Sequence, residues 1–305
     1  MKKEDDGPHK FNSLSDFHRA LDLPKPLHPL ISLVNNMDNK IGAHKLRHSF
    51  TLNFYKIAYS TNLNGKLKYG QHFYDFDEGG LFFVSPNQVI SSYDDNGDHS
   101  GYVLLIHPNF LLTYPLANKI KQYGFFSYSA NEVLHLSDTE KETIVSILKI
   151  IEEELKLPID DYSQDVVISQ IELLLNYSNR FYNRQFITRK AVNSDMLQQL
   201  ETILDDYFNN EQSLRQGIPT VQYLAEQLNL SPGYLSDMLR SLTGQNAQQH
   251  IHNKLIEKAK DKLSASNLSV SEIAYELGFE YAQSFSRLFK TKTKLSPLEF
   301  RQSFN

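Results

Sequence analysis

Two similar segments near the end of the chain carry polar side chains at helical spacing. LAEQLNLSPGYLSDMLRSLTG covers residues 224–244, and IAYELGFEYAQSFSRLFKTKTK covers residues 273–294. The offset between the copies grows from 49 residues, between Leu224 and Ile273, to 50 in their second halves, so one extra residue lies in the second turn. Arg, Gln, Ser and Asp side chains on a helix can form hydrogen bonds with the edges of DNA bases. Contact with nucleic acid is therefore the chemistry that this repeat suggests.

Each copy predicts a short helix, a tight turn and a second helix. In the first copy, Ser231 followed by Pro232 provides a cap and a first-turn proline, which start the second helix abruptly. In the second copy, Ser269 and Glu272 form a capping box, and Gly278 supplies the positive φ that ends the first helix. This arrangement is a helix-turn-helix, whose second helix can lie in a major groove.

The second helix of each copy has an apolar face and an outward polar face. The apolar residues, which we expect in the core, are Leu235, Met238, Leu239 and Leu242 in the first copy and Phe285, Leu288 and Phe289 in the second. The outward residues are Gly233, Ser236, Asp237 and Arg240, and then Ala282, Gln283, Ser286, Arg287 and Lys290. Arg can form two hydrogen bonds with the edge of a guanine, and Gln can form two with the edge of an adenine. We therefore expect the second helix to contribute more to base recognition than the first. Arg240, Lys290 and Lys292 are better placed to hold phosphates.

Charge is distributed unevenly along the chain. The whole sequence has 31 Lys and Arg against 36 Asp and Glu, a net charge of −5. Residues 212–305 hold eleven basic and eight acidic residues, a net charge of +3, whereas residues 1–211 carry −8. These values argue against a uniformly basic surface and favour a local patch, with binding that weakens as salt rises.

The first half of the chain has the period of strands. Residues 48–59 place Phe50, Leu52 and Phe54 on one face, and turn-forming stretches such as NLNG (62–65) and DDNGD (94–98) separate short apolar runs. Closely spaced turns between short strands predict an antiparallel sandwich or barrel.

Helical periodicity follows the strands. Ser137 and Glu140 form a capping box before an apolar stripe that ends at Pro158, and a second helix is predicted over 163–183. These helices either cover the sheet or pair with a second chain. The polar stretch 183–195 breaks the pattern, which divides the chain into a flexible tail (1–20), a sensing and dimerisation domain (21–185), a linker (186–196) and a helical domain (197–305).

The helical domain resembles the DNA-binding domain of the AraC/XylS family of transcription regulators. The resemblance rests on both repeated segments, the connecting helix AQQHIHNKLIEKAKDKL (247–263) and the closing LSPLEFR. It implies seven helices and two reading helices in successive major grooves on one face of DNA, about 34 Å apart. The base-facing positions it implies are Gly233, Ser236, Asp237, Ala282, Gln283, Ser286 and Arg287. The predicted phosphate contacts are Ser231, Arg240, Lys290, Lys292 and Lys294, the last of which replaces the glycine usual in the family.

The N-terminal half is similar to the cupin-type sensor domains of such regulators. The fold class predicted for the whole chain is accordingly α+β in two domains, an antiparallel cupin-like β-barrel with trailing helices and an all-α domain with two helix-turn-helix motifs. The function implied is sequence-specific transcription regulation. The partners that the resemblance implies for this protein are double-stranded DNA, RNA polymerase, a small-molecule effector and a second copy of the chain. No secretory signal or membrane segment is predicted, so the expected location is the cytoplasm.

A metal-dependent cupin-type enzyme with a helical accessory domain is the alternative. Metal cupins use closely spaced histidines, whereas His44, His48, His72, His99 and His107 are scattered, and His250 and His252 point apart on a helix. With no cysteine either, we predict no enzyme activity, no metal and no cofactor. Aromatic residues at strand spacing form either plain core or an effector pocket; they are Tyr55, Tyr59, Tyr69, Phe73, Tyr74, Phe76, Phe82 and Phe83.

Overall fold

The computed structural model divides the chain into two compact units, Met1–Gln185 and Phe186–Asn305. It describes residues 8–36, 49–61, 67–69, 72–74, 79–90, 100–129, 132–188 and 190–303. Within these ranges, no helix combines the length and the apolar character that crossing a membrane requires.

The first unit is built on sheets whose strands are antiparallel, except where β1 pairs in parallel with β3. Its strands in the described residues are β1 His9–Phe11, β2 Ile31–Asn35, β3 Phe50–Leu52, β4 Tyr55–Ser60, β5 Leu67–Tyr69, β6 His72–Tyr74, β7 Gly80–Val84, β8 Val89–Ile90, β9 Gly101–Ile106 and β10 Leu134–His135. The largest sheet has the order β10-β7-β4-β9-β2, and β1-β3-β8 and β5-β6 form two smaller sheets. The predicted β-rich domain is confirmed. The described strands do not close into a barrel, so the cupin-like fold stays a prediction.

The run predicted as one strand over 48–59 is two strands. A bend at Asn53 and Phe54 separates β3 from β4 and reverses which residues face inward. In β4, Tyr55, Ile57 and Tyr59 are buried while the residues between them are half-buried. Phe54 lies in the bend and is fully buried, as it would be in a single alternating strand. The burial pattern around Phe54 therefore gives no sign of the bend in the sequence.

Most of the segment predicted as a flexible tail is folded. Residues 9–11 form β1, which pairs in parallel with β3, and helix α1 follows over Leu14–Ala20. The side chains of Phe11, Leu14 and Phe17 are buried in a cluster of the first unit. The tail prediction is therefore wrong for residues 8–20, because three well-spaced apolar residues among charged neighbours provide enough apolar surface to pack.

Two long helices cover one face of the large sheet. After the short helix α2 (Leu116–Lys119), the chain forms α3 (Asp138–Lys156) and α4 (Ser163–Thr188). The predicted capping box of Ser137 and Glu140 is present at the start of α3. The Tyr182 ring of α4 stacks on Phe125 at 5.5 Å and lies 6.2 Å from Phe83 of β7. The helices thus cover the sheet, as one of the two interpretations had it.

The stretch in which we expected a break is helical. α4 continues to Thr188, and α5 runs over Lys190–Asn209. Polar residues such as Arg184 and Gln185 remain in α4 because they have partners: Arg184 pairs with Glu140 at 2.6 Å, and Gln185 accepts the His135 N–H at 2.9 Å. The predicted interruption of the helical pattern is wrong here, since buried hydrogen bonds replace the missing apolar spacing.

The second unit is helical throughout its described residues. After α5 come α6 Gln212–Gln216, α7 Val221–Gln227, α8 Pro232–Thr243, α9 Ala247–Ala265, α10 Val270–Glu276, α11 Ala282–Thr293 and α12 Pro297–Gln302. These are eight helices where the resemblance implied seven, because residues 212–216 add one short turn of helix. The predicted caps at Ser231 and Ser269 are present, and Gly278 has a φ of 90°.

Helix α9 is the element that the others share. It packs against α5, α7, α8, α10 and α12. Its buried apolar residues are Ala247, Ile251, Leu255, Ile256, Ala259 and Leu263. At its end, the Arg301 guanidinium donates to the Leu263 and Leu268 carbonyls at 3.2 and 2.6 Å, and Phe300 packs on Phe289. The closing LSPLEFR segment therefore ties α12 to both α9 and α11.

Gly278→Ala should lower the free energy of unfolding by about 2–4 kcal/mol. The Cβ of the alanine would lie 2.6 Å from the Gly217 carbonyl carbon. The alanine backbone would also have to adopt a left-handed conformation. Gly244→Ala is the matched control, since Gly244 has a φ of 75° but no atom within 4 Å of its added Cβ. Its cost should be about 1 kcal/mol. Equal losses for the two variants in urea unfolding would contradict the close approach.

Candidate nucleic-acid interface

Helix α8 has the buried and outward faces that its spacing predicts, except that Leu242, which we expected in the core, is half-buried. Leu235, Met238 and Leu239 are buried, and Tyr234 is buried as well, with its ring 5.1 Å from Phe186. Arg240 is exposed. Gly233, Ser236 and Asp237 are half-buried on the opposite side from the core. The predicted base-facing residues of the first copy thus lie together on one helix face.

Helix α11 presents a longer polar face. Phe285 and Phe289 are fully buried and fix the orientation of the helix, whereas Leu288, which we also expected in the core, is half-buried. The remaining predicted contacts are exposed at Gln283, Arg287, Lys290, Lys292 and Lys294, and half-buried at Ala282 and Ser286. Ala282, Gln283, Ser286, Arg287 and Lys290 follow one another at helical spacing, so α11 offers them along a single side. Lys292 lies toward α9 instead, where its amine donates to Asn253 at 3.5 Å.

The two helices differ in charge. On α8, the Arg240 guanidinium is paired with the Asp237 carboxylate at 2.7 Å, one turn away. Fifty residues later, α11 has Arg287 and Lys290 at the matching positions, two like charges without an acid between them. The helix α8 is therefore electrically neutral across its outward face, whereas α11 with Lys292 carries three positive charges.

Most basic residues of the connecting helix are used inside the domain. Lys254 is 8% exposed and lies 2.9 Å from Asp205 on α5. Lys258 pairs with the same carboxylate at 3.0 Å, and Lys262 pairs with Glu276 at 2.6 Å. The Lys254 hydrogen bond, with help from Lys258, holds the pKa of Asp205 below its ordinary value. The second unit as a whole has thirteen basic and thirteen acidic residues, and four exposed basic residues lie together on α11 and its end, at Arg287, Lys290, Lys292 and Lys294.

A polar link between the two copies was missed in the sequence. The Asn253 side chain of α9 donates to Gln245, just after α8, at 2.7 Å. It also accepts from Lys292 of α11 at 3.5 Å. Burial lowers the pKa of the neighbouring His252, and the positive charge of Lys292 lowers it further. The signal that could have shown this is the set of polar residues at 248–250, 252 and 253, which interrupt the apolar positions of α9 everywhere except at Ile251.

Ser231 and Lys294 differ from the other predicted phosphate contacts. The Ser231 hydroxyl is buried and accepts the Tyr234 N–H at 3.2 Å, so it is first of all the cap of α8. Lys294 keeps the left-handed conformation of the glycine it replaces, with a φ of 69°, and its amine donates to the Thr291 carbonyl at 3.3 Å. The turn after α11 is therefore not rebuilt, and the backbone strain is tolerated.

The residues considered for metal or effector binding are only partly covered by the structure. No group of three or more His, Cys, Asp or Glu side chains with metal-binding geometry occurs in the part of the chain that the structure describes. His44, His48, His99 and residues 94–98 lie outside the described residues, as does the side chain of His72. His107 caps a turn by accepting the Asn109 N–H at 3.2 Å.

The aromatic residues of the first unit belong largely to its core. Tyr55, Tyr59 and Phe83 are buried, and Tyr55 and Phe83 pack against the rings of Phe126 and Phe125. Phe82 is half-buried on the other face of the sheet. The side chains of Tyr69, Phe73, Tyr74 and Phe76 lie outside the description.

Comparisons with known proteins agree with this geometry. A family model described as a helix-turn-helix domain matches residues 224–303. The HTH-type transcriptional activator RhaS of Salmonella paratyphi B is 31% identical over 141 residues, which are 46% of this chain and 46% of that protein. The chain thus spans about half the length of the curated relatives it matches.

Solved structures with likeness to this chain include two C-terminal domains. One belongs to the two-component response regulator yesN of Fusobacterium nucleatum, with 31% identity, 35% of this chain and 98% of that chain covered, and a TM-score of 0.31. The other belongs to AraT, a response regulator of Geobacillus stearothermophilus, with 27% identity, 35% and 84% covered, and a TM-score of 0.31.

The repeated unit and the matched residues agree on the kind of domain. Residues 224–303 form a helix-turn-helix domain of the AraC type.

Proposed function

We propose that the chain is a sequence-specific DNA-binding transcription regulator. The observation that carries this proposal is the pair of helices α8 and α11, each with its polar face outward. Helix α8 packs on α9, and α11 is joined to α9 through α10 and α12. A helix of this kind can enter a major groove, and two of them on one rigid core would read two turns of one DNA face. The matching relative RhaS is named a transcriptional activator, which supports a role in transcription.

In this proposal α11 provides most of the attraction and much of the sequence reading. Arg287 carries a planar guanidinium that can bond guanine O6 and N7, and Gln283 can bond adenine in the same paired manner. Lys290, Lys292 and Lys294 lie toward the helix end and hold phosphates. Each phosphate that a lysine neutralises releases counterions, so affinity falls as salt rises.

Helix α8 contributes selectivity with little net attraction. Its Gly233 allows close approach of the backbone, and Ser236 adapts to several bases. Asp237 holds Arg240 in an ion pair, so that this arginine is only partly available for a phosphate. The Asp237 carboxylate also repels phosphates. This cost is offset only at sites where a cytosine amino group donates a hydrogen bond to the carboxylate. Ser231 acts mainly as the cap that positions this face.

The first unit is proposed to sense an effector and to form a homodimer. On α4, Val166 and Leu173 are exposed apolar residues seven positions apart, and the half-buried Tyr177 continues the same stripe. A second copy of α4 would cover this seam. Effector binding would then change how two copies place their reading helices on DNA and how they meet RNA polymerase.

The alternative function, a metal-dependent cupin-type enzyme, is not proposed. No specific observation favours it.

Arg287→Ala and Lys290→Ala should affect DNA binding in different ways. Arg287→Ala should cost about 1–3 kcal/mol on the preferred site and relax the preference at one base pair, because it removes a base contact. Lys290→Ala should weaken all sequences similarly and reduce the slope of log K against log salt by about 1. Fluorescence anisotropy on a selected site and a scrambled duplex, over a series of salt concentrations, measures both. Identical behaviour of the two variants on both duplexes would contradict these roles.

Asp237→Asn should increase affinity for DNA of any sequence. Loss of the carboxylate frees Arg240 for a phosphate, so the salt slope should steepen by about 1. The control is Asp261→Asn, which makes the same charge change at an exposed position of α9. If Asp237→Asn instead weakens only the selected site, Asp237 reads a base directly and the neutralising role is wrong.

Leu173→Glu should convert the dimer to a monomer. Leu173 is 41% exposed, so the charge can be solvated in one chain but would be buried in the seam of two. Sedimentation velocity gives the oligomeric state. Leu112→Glu, at a residue of the same unit that is 68% exposed and lies outside α4, is the control and should remain dimeric. A wild-type chain that is monomeric at all concentrations would contradict the seam.

A further inference from the structure

The two helix-turn-helix copies differ at the residue that precedes the second helix. Ser231 stands before α8 and Tyr281, fifty residues later, stands before α11. The buried Ser231 hydroxyl accepts the Tyr234 N–H at 3.2 Å and so caps its helix. The Tyr281 side chain accepts no N–H from α11, whose residues are all described, and its backbone carbonyl accepts the Ser284 N–H at 3.0 Å instead. The second copy thus lacks the side-chain cap that the first copy has.

Tyr281 contributes little to the core of the second unit. It is 64% exposed, whereas the aromatic residues that hold α11 in place, Phe285 and Phe289, are fully buried. Within the part of the chain that the structure describes, the Tyr281 hydroxyl has no hydrogen-bond partner and the ring has no aromatic neighbour. A serine at this position would stabilise the start of the helix better than a tyrosine does. Departures of this kind from the rules of folding are expected where a side chain serves binding.

Tyr281 lies at the end of α11 that a reading helix directs at DNA. Recognition helices contact base edges with their N-terminal residues, which here are Ala282 and Gln283, directly after the tyrosine. Lys290 comes nine residues after Tyr281, about 14 Å further along the helix axis. The major groove is about 12 Å wide. A helix bound through Gln283 and Arg287 can therefore bring Tyr281 to the phosphates on one side of the groove and Lys290 to those on the other.

We propose that Tyr281 donates a hydrogen bond from its hydroxyl to a DNA phosphate beside the groove that α11 enters. The inference rests on the proposed function, because it names a further contact of the same interface. A phenol is a neutral donor, and tyrosine is among the side chains that bond phosphate oxygens in protein–DNA complexes. Unlike Lys290, Tyr281 holds the DNA backbone without neutralising its charge. It therefore adds affinity without adding to the salt dependence of binding.

Tyr281→Phe removes the hydroxyl and keeps the ring. In fluorescence anisotropy with the full chain, it should bind a selected site and a scrambled duplex about three- to tenfold more weakly than the wild type, because one hydrogen bond is lost. The slope of log K against log salt should stay the same. Tyr162→Phe, at a tyrosine of the first unit that is 72% exposed, is the control and should bind as the wild type does. A loss confined to the selected site would mean that Tyr281 reads a base and would overturn the proposal.

Methylphosphonate duplexes locate the phosphate. Each carries one methyl group in place of a phosphate oxygen, which removes the charge and weakens the acceptor. At the phosphate that Tyr281 contacts, this change should weaken binding of the wild type more than binding of Tyr281→Phe, since the variant has no hydrogen bond left to lose. Equal weakening of the two proteins at every position would overturn the proposal.

Tyr281→Ser separates the contact from a structural role. It gives α11 the cap that Ser231 gives α8, so the second unit should melt about 2–6 °C higher than in the wild type. The same variant should bind DNA at least as weakly as Tyr281→Phe. A lower melting temperature would show that the ring supports the fold, and unchanged DNA binding would show that the side chain does not touch the duplex. Either result would overturn the proposal.

The same titrations distinguish failure of this inference from failure of the proposed function. A wild-type chain that binds duplex DNA, with Tyr281→Phe binding equally well, would overturn the tyrosine contact and leave the regulator standing. A wild-type chain that binds no duplex at any salt concentration would overturn the regulator and this contact with it.

Discussion

Both helix-turn-helix units depend on burial against one helix. The helices α7, α8, α10 and α11 have seven to twelve residues, too short to be stable alone in water. They become stable because α7, α8 and α10 pack on α9, and because α11 is joined to it through α12. Ile251, Leu255 and Ala259 are buried in the core that the apolar sides of these helices also fill. The polar sides of α8 and α11 therefore face solvent. The reading faces are thus a consequence of how the core is filled.

The two helix-turn-helix copies share the same helix arrangement but carry different side chains on their outward faces. At matching positions, the first copy has Asp237 and Arg240, and the second has Arg287 and Lys290. The acid pairs with its arginine, while the two cations of the second copy have no such partner on their helix. One copy is therefore suited to discriminate and the other to attract. Lys294 continues this division, because it adds a cation to the end of α11 at the cost of a left-handed lysine.

Local signals in the sequence predicted the second unit well. Ser231 and Pro232, Ser269 and Glu272, and Gly278 each determine backbone conformation through their own side chain or lack of one. Their effects extend over only a few residues, so they are readable without knowledge of tertiary contacts. The predicted core positions of α8 and α11 followed from the same periodicity.

The features that were missed depend on residues distant in sequence. Residues 8–20 fold because Phe11 and Phe17 meet Phe50 and Leu105, which no local pattern reveals. The helix continues through 183–188 because Arg184 and Gln185 find partners about fifty residues earlier. The Asn253 link likewise arises from contacts between separate elements. Charge signs could be read from the sequence, whereas which charges are neutralised could not.

The most direct test is a chemical footprint of the purified chain on DNA selected from random sequence. Two protected major-groove patches on one face of the duplex, about one helical turn of 10 base pairs apart, are predicted for each bound domain. Guanines protected from methylation should include one lost on Arg287→Ala. A single protected patch, or patches on opposite faces of the duplex, would contradict the account.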